Sequence, residues 1–156
     1  MNARNSLFER IVLLKGVRFF ELLSTDQLRF LAAALDSISW VEGEEVFRLG
    51  DPGDAMYIIV SGKVGISLHD PPRTDDFVAR LGAGDCFGEM GLLDDLPRSA
   101  TVCVLEHTEA YVLAKEKMLG LLLSYPELGL GMLRAMSLRI REISLDLVKC
   151  REDAEK

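Results

Sequence analysis

The chain has 156 residues, 49% apolar and 28% charged, a balance that suits one soluble domain with a core of its own. A chain of this length buries roughly 70% of the surface its unfolded form exposes, so it is not intrinsically disordered and needs neither a disulfide nor a metal for stability. The net charge of −7 argues against a nucleic-acid-binding surface, because phosphate backbones are gripped by clustered Lys and Arg.

From the N-terminus, Arg4, Glu9 and Arg10 interrupt the apolar residues and give no signal-peptide profile. Leu7, Ile11 and Leu14 then follow helical spacing over residues 6–14, ending near Gly16. Ser24 and Gln27 have the spacing of a capping box, and Leu28, Leu31 and Leu35 supply the apolar face of a second helix. From about residue 40 to 113 the period becomes that of strands, clearest in Val64, Ile66 and Leu68 against Gly65 and Ser67. Gly43, Gly50, Pro52-Gly53, Gly62, Pro71-Pro72, Gly82 and Gly84 punctuate these strands, and such regular turn signals predict an antiparallel β jelly roll. Helical spacing returns at Lys115, runs to about Ser124, and restarts at Pro126 as a long helix towards Cys150. The most apolar stretch, 118–133, is broken by Ser124, Pro126 and Glu127, so no membrane span is expected. The expected fold class is therefore α+β in a single domain over 1–156: helices at about 6–35, a jelly roll (double-stranded β-helix) at about 40–113, and helices at about 115–150.

Metal and nucleophile chemistry find little support. Cys86, Cys103 and Cys150 are far apart and form no CxxC, which fits a reducing, cytoplasmic setting, and His69 and His107 lack a second imidazole at ligand spacing. No Ser, His and Asp set stands out as a triad, and the scattered methionines read as core fillers. No catalytic residue, metal or cofactor is assigned, and the chain is not read as an enzyme.

One stretch within the β region does not read as a strand: residues 87–102, FGEMGLLDDLPRSATV. Gly88 and Gly91 permit tight backbone geometry, and Glu89 to Leu93 allows one helical turn whose unpaired amides suit one phosphate. Arg98 is the only Lys or Arg between Arg80 and Lys115, an interval that also holds Asp85, Glu89, Asp94, Asp95, Glu106 and Glu109. Two readings of Arg98 follow: it pairs with Asp94, Asp95 or Glu89, or its guanidinium holds two phosphate oxygens, with the Ser99 hydroxyl and the Ala100 amide as further donors. Glu89 can only accept, which suits a sugar hydroxyl.

This stretch resembles the phosphate-binding cassette of the cyclic nucleotide-binding domain family, in which FGE, a small residue and leucines precede a basic residue and a small or hydroxyl residue. The segment EGEEVFRLGDPGDAMYIIVSGKVGI at 42–66 resembles that family's first barrel strands, with Gly43, Gly50, Gly53, Tyr57 and Gly62 at turn and core positions. LGAGDCFGE at 81–89 resembles the approach to the cassette, and the likeness extends over about 7–150. It implies a non-catalytic sensor whose ligand is cyclic AMP or cyclic GMP, held by Gly88, Glu89, Met90, Arg98, Ser99 and Ala100. In that assignment Glu89 accepts from the ribose 2′-OH, Arg98 holds the exocyclic phosphate oxygens, and Gly88, Ser99 and Ala100 donate around them. Residues covering the base come from the last helix, where Arg134, Arg139 and Arg141 are available without a motif to choose among them. Ser99 falls where a hydroxyl often accompanies tolerance of cyclic GMP, while similar cassettes occur in proteins resembling cyclic AMP receptors.

The last helix carries Leu133, Met136, Ile140, Ile143, Leu147 and Cys150 at spacings of 3 and 4, with Leu138, Leu145 and Val148 on a second, nearly opposite line. Burying one line on the barrel leaves the other for a partner, so the expectation is a weak homodimer through 133–150, or contact with the rest of a parent protein. The alternatives to a cyclic nucleotide sensor are a nucleotide-independent interaction or assembly domain of a transporter, channel or signalling protein, and the sensor half of a CRP-like transcription regulator.

Overall fold

The computed structural model describes residues 6–72 and 76–156; Arg4, which entered the reading of the N-terminus, lies outside them. Helix α1 spans Leu7–Lys15 and α2 spans Thr25–Ala34, with a 3-10 turn at Arg18–Phe20 between them. Ser6 caps α1 by accepting from the Glu9 amide, and Ile11 and Leu14 are buried while Leu7 is exposed. The Ser24–Gln27 capping box forms at both ends: the Gln27 amide donates to Ser24 Oγ at 3.2 Å, and the Ser24 amide to Gln27 Oε1 at 2.9 Å. At the other end of α2, Arg10 Nη1 donates to the carbonyls of Leu35 at 2.8 Å and Ala32 at 3.2 Å. Its guanidinium lies 5.0 Å from the centroid of the Tyr111 ring, so one half-buried cation joins α1, the end of α2 and the sheet.

The antiparallel sheet has six strands among the described residues: β1 Asp36–Trp40, β2 Glu45–Phe47, β3 Ala55–Ser67, β4 Phe77–Leu81, β5 Cys86–Phe87 and β6 Thr101–Ala114. Its path is β1-β6-β3-β4, with β2 paired to β6 and β5 to β3. Strand pairing begins at residue 36, earlier than the expected 40, because Ser37 and Ser39 hide a short strand that pairs with Thr108–Val112. β3 and β6 are long, at 13 and 14 residues, and β3 runs through Gly62, which reads as a turn. Their mutual register shifts between Ile59 and Val64, where the strands bend. Gly62 makes the bend possible: its φ is +105°, and a Cβ there would stand 2.3 Å from Thr108 Oγ1.

Pleating sends alternate residues of β3 and β6 to two cores. Met56, Ile58, Tyr111 and Leu113 pack with the helices around Leu14, Phe20, Leu28, Leu31, Met118 and Leu128. Ile59, Val64, Val102 and Val104 pack inside the roll with Phe87, joined by Trp40, Phe47, Tyr57, Ile66 and Leu81. The expected alternation at 64–68 holds only in part: Val64 is buried, but a register shift after Ile66 turns Ser67 inward and Leu68 outward.

Helices α3 (Lys115–Ser124) and α4 (Pro126–Ala154) meet at Tyr125, whose ring stacks on Phe30 of α2 at 4.1 Å. Pro126 stands in the first turn of α4, as its fixed φ favours. α4 buries Leu128, Met132 and Ala135 and then runs on with its side chains exposed. This corrects the expectation that one apolar line of the helix packs on the barrel: Ile140 is 63% exposed and Leu138 44%, so from residue 137 onward neither line is covered. The buried stripe lies in the first three turns, and the distal half is held near the body by the Arg18–Glu142 ion pair at 2.9 Å. Among the described residues no helix is long and apolar enough to cross a membrane, and no group of His, Cys, Asp and Glu suited to a metal comes together.

Candidate functional site

The segment after β5 leaves the sheet as expected, although its turn is a 3-10 turn at Glu89–Leu92 and not α-helical. Gly88 opens it in the left-handed region at φ +78°. A Cβ at Gly88 would meet Arg98 Nη1 at 2.8 Å and the Ala55 carbonyl at 2.9 Å, so the position has no room for a side chain.

The main chain at the far end of the loop is pinned to residues 48–52. The Arg98 amide donates to the Asp51 carbonyl at 2.7 Å, and the Gly50 amide to the Arg98 carbonyl at 2.8 Å. Pro97 bridges to Pro52, and the Leu49 amide donates to Thr101 Oγ1 at 3.0 Å. These bonds fix the root of the Arg98 side chain.

Arg98 is only 6% exposed. Its Nη2 donates to the Ala55 carbonyl at 2.6 Å and its Nη1 to the Gly88 carbonyl at 3.2 Å, while Nε is buried without a hydrogen-bond partner. The guanidinium lies 4.0 Å from the centroid of the Phe47 ring, which is cation–π geometry. The carboxylate it meets is that of Asp54, at 3.6 Å. This corrects the first of the two sequence readings, since Asp95 is taken by Lys115 at 2.8 Å, and the fold brings Asp54 to Arg98 from 44 residues away. Burial lowers the Arg98 pKa, and the phenol of Tyr57 together with Asp54, Asp51 and Glu89 pulls the other way. Arginine keeps its proton in either case.

These groups border a cavity of about 370 Å³, within the range of small-molecule sites. Gly88, Glu89, Met90, Arg98, Ser99 and Ala100 all line it, so the six residues singled out from sequence meet at one cavity. Much of the remaining lining is apolar: Phe47, Ile66, Leu81, Phe87 and Val102. Arg98 is the only Lys or Arg among the described lining residues, and Glu89 and Asp94 are the carboxylates. Glu89 is half-buried with no side-chain hydrogen bond among the described residues, Ser99 is exposed, and Met90 is exposed at the rim. Cys86 also lines the cavity, and burial reinforced by Glu89 and Asp85 pushes its thiol up to about 12, so it stays neutral and unreactive near pH 7. One full positive charge beside acceptor carboxylates and an apolar wall suits a ligand with a single anionic group, hydroxyls and a flat apolar part.

Sequence reasoning missed Phe47, Asp54 and the Ala55 carbonyl as partners of Arg98, and missed the contact of Lys115 with Asp94 and Asp95. The only sequence signal of Phe47 was its aromatic character; the fold gathers it with Trp40, Tyr57 and Phe87, with Tyr57 stacked on Phe87 at 5.1 Å. Asp54 and Ala55 had none, since a carbonyl acceptor is invisible in sequence.

Comparison with known proteins adds an independent finding. A sequence profile of the cyclic nucleotide-binding domain matches residues 38–125. The cyclic AMP receptor protein of Thermus thermophilus is 31% identical over 134 residues, covering 86% of this chain and 62% of that protein. The cAMP-dependent protein kinase regulatory subunit of Dictyostelium discoideum is 37% identical over 112 residues, 70% of this chain and 32% of that one. The chain thus spans from about a third to about three fifths of the length of these relatives. Among solved structures, the N-terminal domain of a transcriptional regulator from Streptomyces coelicolor superposes with a TM-score of 0.77 at 28% identity, covering 86% of this chain and 94% of that one.

Proposed function

The chain belongs to the cyclic nucleotide-binding domain family, and on that premise we propose that residues 1–156 act as one cytoplasmic, non-catalytic sensor module for cyclic AMP or cyclic GMP. The observation that carries the reading is Arg98, a buried guanidinium that is the single cation among the described residues lining a 370 Å³ cavity it shares with Glu89. The cyclic phosphate has one charge, which Arg98 balances by turning its donors from two backbone carbonyls to the exocyclic oxygens. Gly88, Ser99 and Ala100 donate around that phosphate, Met90 covers its rim, and Glu89 accepts from the ribose 2′-OH. The base lies towards Phe47, Ile66, Leu81 and Val102, the apolar side of the cavity. Binding shifts α3 and α4 only to the extent that the ligand prefers one arrangement of these helices over the other. Calorimetric titration with both cyclic nucleotides tests the reading: saturable one-site binding is expected, and no heat or competition with either ligand overturns it.

The match to the N-terminal domain of a transcriptional regulator favours a second, compatible reading, in which the module serves as the sensor portion of such a regulator. A weak homodimer through 133–150 fits both, since two uncovered apolar lines there await a partner.

A further inference from the structure

We infer that Lys115 is a positioning residue that ties the ligand-binding loop to the first turn of α3, so that occupancy of the Arg98 cradle reaches the C-terminal helices through it. The inference rests on the cyclic nucleotide reading of that cradle. Lys115 is the first residue of α3, and its side chain is 20% exposed. Nζ donates to the Asp94 carbonyl at 2.6 Å and to Asp95 Oδ1 at 2.8 Å. Its own amide donates to the Asp54 carbonyl at 2.8 Å, filling one of the orphan donors of a helix whose N-cap, Ala114, has no side chain to offer. Asp54 immediately precedes Ala55, whose carbonyl takes the Arg98 Nη2 bond. Three segments therefore meet at one lysine: the loop at 94–95, the start of β3 beneath Arg98, and α3.

Helix electrostatics run against this placement. A cation in the first turn of a helix faces the positive end of the macrodipole, where Asp and Glu are favoured. The position is held by the loop's carbonyl and carboxylate, and a residue that breaks a local preference for the sake of a long-range contact points to a functional role. When an anion takes the Arg98 donors, the carbonyls of Ala55 and Gly88 are released and the loop resettles around the ligand. Because Asp94 and Asp95 are gripped by Lys115, that displacement passes to the N-terminus of α3, and α3 leads through Tyr125 to α4. The coupling runs through contiguous hydrogen bonds.

The test compares hydrogen exchange and calorimetry of the full chain with and without cyclic AMP and cyclic GMP, for wild type, Lys115→Met, Lys115→Arg and Asp95→Asn. In wild type, nucleotide alters exchange over both 88–97 and 115–124. Lys115→Met keeps affinity within about fivefold, as expected for an ion pair with one exposed partner. It retains the response over 88–97, loses that over 115–124, and Lys115→Arg restores it. Asp95→Asn, which leaves the Asp94 carbonyl in place, lowers the 115–124 response partway and serves if Lys115→Met does not fold. A full α3 response in Lys115→Met, or in Asp95→Asn should the former be unfolded, overturns the inference while nucleotide binding stands. Wild type that binds neither nucleotide overturns the cyclic nucleotide reading and this inference with it.

Discussion

Arg98 spends its donors on the carbonyls of Ala55 and Gly88 and stacks on Phe47, so any anion that binds there competes with the protein's own backbone. Its removal should therefore act twice. Arg98→Ala is expected to weaken cyclic nucleotide binding by about 2–5 kcal/mol, because truncating one partner of a buried charged pair leaves the other unpaired. The same change leaves buried carbonyls short of a donor and should cost about 1–3 kcal/mol of stability without preventing folding. Calorimetry and chemical denaturation read the two effects separately, and binding within a few-fold of wild type would remove Arg98 from the phosphate. Glu89 has no side-chain hydrogen bond among the described residues, so Glu89→Ala should lose affinity and little stability. The expected loss is about 1.5–3 kcal/mol, that of a hydrogen bond to a charged group. A 2′-deoxy cyclic nucleotide should lose a similar amount on wild type and little more on the variant, and strictly additive losses would exclude the ribose contact. At this scale a lone Arg among carboxylates beside two glycines marked the loop as a candidate, and the resemblance to the cyclic nucleotide-binding domain family supplied the roles of its individual residues. Their partners were not legible, because Asp54 and the Ala55 carbonyl reach Arg98 only through the pairing of distant segments.

The Ser24–Gln27 capping box was legible, since a cap is a local contact between residues three apart, and it forms; the Ser6–Glu9 cap forms too, although it was not read from the sequence. The long strands were read less well, because Gly62, which looks like a turn, lies inside β3, a strand that bends without ending. The last helix was legible as a helix and misread as a packing surface. Its two apolar lines are real, but the distal half extends past the body, where no barrel surface is left to cover them. That geometry shapes a prediction. About two and a half heptads make a short seam, so the chain should show a monomer–dimer equilibrium in sedimentation and not a tight dimer. Ile140→Asp, in the middle of the a/d line, should abolish the dimer and leave nucleotide affinity unchanged. Leu138→Asp should leave the dimer intact and, because Leu138 is half-exposed and off the core, leave the melting temperature unchanged. Dimers that survive Ile140→Asp and vanish with Leu138→Asp would exchange the two faces, and a monomer at every concentration would remove the interface.

For the molecule as a whole, a ligand that binds only the folded state stabilises it by about 2.7 kcal/mol at a hundredfold excess over Kd. For a domain of this size that should raise the melting temperature by roughly 5–11 °C. Scanning with cyclic AMP, cyclic GMP and the uncyclised monophosphates checks this, and an equal shift with all of them would point to general anion binding, not to a cyclic nucleotide. Arg98→Ala should abolish the shift. The amino-acid order alone determined the four α-helices, most of the β region and the loop that interrupts it, because periodicity, caps and turn residues act over a few neighbours; it did not determine the two 3-10 turns or the strand at Asp36–Trp40. Only the tertiary structure decided which carbonyls and ring hold Arg98, that Lys115 clasps the loop from α3, and that the distal half of α4 stands uncovered. Each depends on which distant segments the long, bent pair β3 and β6 brings side by side, and register between strands far apart in the chain is settled by the packing of two cores at once.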